Sequence, residues 1–168
     1  ADPEVVETDI EHEGLMILAA KATPLGGGSY RYEYALQNIT SNRAGRSFRV
    51  PLRPGPLVTN VRFHDVDYHS GEPFVGTDWA VTITPNAVTW STDPFDVNPN
   101  ANALRWGTLY NFRFDTNVPP GTSLVEVGYF RPGTPSSAFA SSVVPEPCTG
   151  LTDGTSCEEG DLCTTAER

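Results

Sequence analysis

Alternation of apolar and polar positions, with a period of two residues, runs through most of this chain. It is clearest over residues 29–38, where Tyr30, Tyr32, Tyr34 and Leu36 share one face and Arg31, Glu33, Ala35 and Gln37 the other. That is the signature of a half-buried strand. The tyrosine face reads as core with its hydroxyls at the rim; a sugar-stacking platform is the sharper alternative. Residues 106–115 alternate Leu109, Asn111 and Arg113 against Tyr110, Phe112 and Phe114. Residues 123–130, the last predicted strand, set Leu124, Glu126, Gly128 and Phe130 opposite Val125, Val127 and Tyr129. In the short strand 47–52 Phe48 and Val50 alternate with an outward Arg49, and residues 79–84 and 87–91 flank Pro85-Asn86 as a hairpin. Residues 4–13 carry Glu7, Asp9, Glu11 and Glu13 on one face, and residues 15–20 are apolar on both. Together they predict one long first strand bent at Gly14, either in its own sheet or donated to a neighbouring molecule.

No helical period appears. Eight or so short strands with turn residues between them predict an all-β fold, an antiparallel β-sandwich of immunoglobulin-like or jelly-roll-like type, over residues 1–131. Residues 132–147, rich in Pro, Ser and Ala, read as a linker. Residues 148–168 form a polar tail that holds all three cysteines, Cys148, Cys157 and Cys163. So little there can be buried that disulfides are expected to order it, which points to an oxidising, extracellular setting. The odd count leaves at least one thiol without an intrachain partner.

The strand over 57–64 cannot continue in register, because Asp65 and Asp67 would follow Val61 and Phe63 into the core. It is expected to end, bulge or leave the sheet near His64. The loop that follows collects Asp65, Asp67, Glu72 and Asp78 with His64 and His69. Oxygen ligands on a flexible loop suit calcium, and Asp65, Asp67 and Glu72 are the first candidates. His64 and His69 have opposite parity, so zinc ranks below calcium. The loop over 92–103 adds Asp93 and Asp96, with Asn98 and Asn100, as a second oxygen-rich set. The calcium reading gains if the fold brings the two loops together. A polar turn bonded to backbone amides is the structural alternative. Tyr68, Trp79 and Trp106 are candidate stacking residues for a glycan, and Asn38-Ile39-Thr40 is a glycosylation sequon.

Charge narrows the classes further. The net charge is −10 over 168 residues, yet residues 14–145 are nearly neutral and the acids concentrate at the two ends. No basic stripe exists for phosphates, so nucleic acid is not an expected partner. No apolar run reaches transmembrane length, so no membrane insertion is expected. Arg43, Arg46, Arg49 and Arg53 fall close together and either hold an anionic partner or balance the acidic first strand. There is no Gly-x-Ser-x-Gly, no His-Glu-x-x-His and no phosphate-binding loop, so catalysis is not expected.

Two resemblances add to this. The segments YRYEYALQN and GTLYNFRFDTNVPP resemble those of immunoglobulin-like sandwich modules in exported bacterial proteins. The pattern DGTSCEEGDLCT resembles the start of a short cysteine-rich repeat of large secreted bacterial surface proteins. They imply a secreted or cell-surface location, and as partners other extracellular subunits or the remainder of a longer chain. The expected function is a non-catalytic structural or adhesion module of a surface assembly or filament; the alternative is a calcium-assisted glycan-binding module.

Overall fold

The computed structural model describes residues 6–11, 13–53, 55–67 and 71–146, with residues 6–11 described as backbone. Ten strands and no helix are found among them: β1 (Val6–Glu11), β2 (Leu15–Gly26), β3 (Ser29–Asn38), β4 (Gly45–Pro51), β5 (Val58–His64), β6 (Ala80–Thr84), β7 (Ala87–Ser91), β8 (Leu109–Thr116), β9 (Pro120–Tyr129) and β10 (Ser137–Pro145). They make two five-stranded sheets, ordered β1-β2-β3-β8-β5 and β10-β9-β4-β7-β6. Every pairing is antiparallel. The chain is thus an all-β antiparallel sandwich, as its alternation predicts.

The inward residues of each strand form one core, centred on rings. Tyr32, Tyr34, Phe48, Trp90, Tyr110, Phe112 and Phe114 are buried. Phe48 lies 4.8 Å from Phe112, and Trp90 5.3 Å from Phe112, between ring centroids. The tyrosine face of β3 is therefore core and is closed to a sugar. The Tyr34 hydroxyl donates to Val143 O at 2.8 Å, and that of Tyr32 to Val118 O at 2.9 Å. Burial pushes the Tyr34 hydroxyl well above its ordinary pKa, so it stays a neutral donor. β5 stops at His64, as the two aspartates require, and bulges earlier, between Thr59 and Arg62, where Asn60 takes a φ of 51°. Asn tolerates that left-handed conformation, and its side chain donates to Asp115 at 2.7 Å.

Two expectations are corrected. The N-terminal segment is not one bent strand. β1 turns back and pairs with β2, from Val6↔Ala20 to Glu11↔Leu15. Gly14 makes the turn with φ of 92°, and a Cβ there would stand 2.6 Å from Thr40 O. The second correction concerns residues 132–147. Residues 137–145 form β10, paired along β9 from Ser137↔Gly128 to Pro145↔Pro120. Its Ala138, Ala140, Ser142 and Val144 are buried. Their small side chains let an edge strand lie close over the core, and the same composition in isolation reads as a linker.

β10 also lies beside β1 and β2, which closes one side of the sandwich. The Tyr34–Val143 bond sets the far end of β10 near the start of β1, since Tyr34 pairs with Ala20 and Ala20 with Val6. The edge strands on the opposite side are β5 and β6.

Candidate functional site

Residues 65–67 and 71–79 of one loop, and loop 92–108, fold over one end of the sandwich and meet around Asn102. This side chain is fully buried. Its amide nitrogen donates to the Asp65 carboxylate and, at 3.0 Å, to Thr77 O. Its side-chain oxygen accepts from the Tyr110 hydroxyl at 2.6 Å, and its backbone carbonyl accepts from Trp79 Nε1. Val75 N donates to Asn100 O at 2.9 Å nearby. Burial, and next the Asp65 charge, push the Tyr110 hydroxyl far above its usual pKa. The knot fixes both loops to β8.

The two oxygen-rich loops therefore do come together, but through a buried amide that bonds one carboxylate rather than through a cluster of carboxylates. Asp65 is buried against Asn102, whereas Asp67, Glu72, Asp93 and Asp96 are exposed. Among the described residues no three His, Cys, Asp or Glu side chains gather in a metal-binding group. Tyr68 and His69 lie outside the described residues, as do Cys148, Cys157 and Cys163. Trp79 is core, stacked on Phe63 at 5.6 Å, and cannot serve as a stacking surface. Trp106 is 67% exposed. Asn38 is fully buried, and its amide nitrogen donates to Ser41 O at 2.9 Å and Leu104 O at 3.0 Å. A glycan on that nitrogen would remove one of the two donors and has no room at a fully buried side chain, so in this fold Asn38 is a structural residue. Sequence alone gave no signal for Asn102, because an Asn in an Asn/Pro-rich loop reads as a turn residue.

The arginines of residues 43–53 split up. Buried Arg43 donates to Arg131 O at 3.1 Å and Pro135 O at 2.7 Å, lies 4.3 Å over the Tyr129 ring and comes within 3.7 Å of Glu13. Arg53 pairs with Glu146. Arg43 thus meets one acid close to the N-terminal strand, in line with balance inside the molecule.

Three surface features remain as candidates. A groove of about 300 Å3 lies beside the loop knot, between Trp106, Arg105, Arg131 and Glu72. In it the Arg105 guanidinium stacks 3.4 Å from the centre of the Phe74 ring and donates to Pro99 O and Ala101 O, each at 3.1 Å. Burial, then the neighbouring Arg131 charge, lowers its pKa. A second groove, of about 340 Å3, crosses the outer face of β3, β8 and β5. There Arg113 pairs in register with Glu33 on one side and Arg62 on the other. The third feature is the edge strand β6, exposed along its whole length.

Comparison with known proteins finds no matching family model and no matching curated protein.

Proposed function

We propose that the chain is a non-catalytic extracellular structural or adhesion module that enters a larger surface assembly through the edge strand β6. The observation that carries this reading is the sequence of that edge, AVTIT. It has no charge, no proline and no break in register. Folded proteins normally blunt sheet edges with such features, because a bare edge presents unpaired N–H and C=O groups to any extended chain. Val81 and Ile83 pair with the buried Trp90 and Val88, yet remain 41% and 51% exposed. The edge thus offers backbone pairing together with uncovered apolar surface.

The subunit that fits best is a second copy. Antiparallel pairing of two β6 strands about Thr82 sets Val81 against Ile83 and Thr82 against Thr82, and both pairs stabilise antiparallel sheets. Sedimentation velocity over a concentration series tests this. Dimers or longer assemblies are expected for the wild type and monomers for Ile83→Lys, whose side chain is half exposed and whose melting temperature should change little. A wild type that stays monomeric throughout sinks the reading.

A further inference from the structure

The groove beside Trp106 has features that an assembly edge does not require. Its floor holds Arg105 rigidly, between the Phe74 ring and two backbone carbonyls. Arg105 Nε is buried with no hydrogen-bond partner, and so is the hydroxyl of Ser41, a residue only 2% exposed. Buried polar atoms are almost always paired, and two of the six that lack a partner among the described residues belong to the lining of this groove. Arg131 stands at the same groove, so two guanidiniums face one space. The indole of Trp106, 67% exposed, lines the same groove and offers a flat apolar surface beside the two guanidiniums.

We propose that this groove binds an acidic saccharide, with a sugar ring stacked on Trp106 and its carboxylate held between Arg105 and Arg131. The C–H face of a sugar matches the flat indole, and guanidiniums bind carboxylates with directed, charge-assisted hydrogen bonds. Asn42, Ser41 and Glu72 line the groove as partners for hydroxyls. The exposed Trp106 indole argues for a sugar over an acidic peptide, because the flat C–H face of a sugar ring can stack on it. The site lies at the loop end of the sandwich and is separate from the β6 edge, so either proposal can fail alone.

The test is a titration of the whole chain with trigalacturonate, followed by tryptophan fluorescence and calorimetry. Trp106 is the exposed tryptophan, since Trp79 and Trp90 are buried. A saturable blue shift is expected with trigalacturonate and none with neutral maltotriose or with hexaglutamate. Trp106→Ala should remove the shift. Arg131→Gln should weaken binding measured by calorimetry about tenfold or more, the loss of one charge-assisted contact. Both side chains are exposed, so melting temperatures should hold, and Ile83→Lys should bind as the wild type does. Absence of a saturable response overturns the proposal. So does an equal response to maltotriose or hexaglutamate, which would make the site one for neutral sugars or acidic protein segments.

Discussion

Asn102 is the residue on which the loop end of the molecule turns. Asn102→Ala would strip the buried Asp65 carboxylate and the Thr77 carbonyl of their donor at once and leave the Tyr110 hydroxyl with Ala103 O alone. Each buried group left unpaired costs about 1–3 kcal/mol. We expect a loss of about 3 kcal/mol in urea unfolding, against less than about 0.5 kcal/mol for Asp67→Ala at its exposed position. Equal effects of the two substitutions would show that the knot contributes nothing. Asp115 gives a second prediction at this scale. Arg31, which donates two hydrogen bonds to it, holds its carboxyl below the usual carboxylate range, with a smaller contribution from Asn60. A depressed folded pKa means stability that is present above about pH 4 and lost as the pH falls below it. Asp115→Asn should therefore flatten the acid limb of the stability curve, read as urea midpoints at pH 6 and pH 3. An unchanged slope would exclude this pair as its source.

The strands divide into those that announce themselves and those that do not. β3 is legible to the residue, because Tyr30, Tyr32, Tyr34 and Leu36 alternate with Arg31, Glu33, Ala35 and Gln37. The end of β5 was also legible, since the burial cost of Asp65 and Asp67 forbids anything else. β10 was hidden. Its inward residues are Ala138, Ala140 and Ser142, too small and too mixed to stand out from a linker, and only the closeness of the neighbouring strand explains them. The β1–β2 turn was hidden differently. Gly14 was seen as a bend, but its approach to Thr40 is a tertiary contact that no local pattern records. Of the site residues, Trp106 is legible as a candidate stacking aromatic at the head of a predicted strand, whereas Asn102 is not, because its role depends on partners 8 to 37 positions away. β10 supplies the prediction at this scale. A chain ending at Arg131 would leave β9 as the bare sheet edge and remove the buried Ala138, Ala140, Val143 and Val144 from the core. It should show no cooperative thermal transition by circular dichroism. A transition near that of the full chain would make β10 dispensable.

At the scale of the whole molecule the sandwich is asymmetric. One side is closed where β10 meets β1 and β2, and the other ends in β5 and the uncharged β6. The near-neutral middle of the chain lets that open side approach another copy without strong repulsion, and the acids gathered toward both ends keep the chain soluble. The nearness of the start of β1 to the end of β10 has a mechanical consequence. Polypeptide joined before Val6 and after Pro145 enters and leaves at the same end of the molecule. Tension between the two joints would act across the hydrogen bonds of β1 and β10 one rung at a time, like a zip opened from its tab, rather than shearing a whole ladder at once. In an optical trap, pulled from these two ends, the module should give way at low force, with β1 and β10 released first.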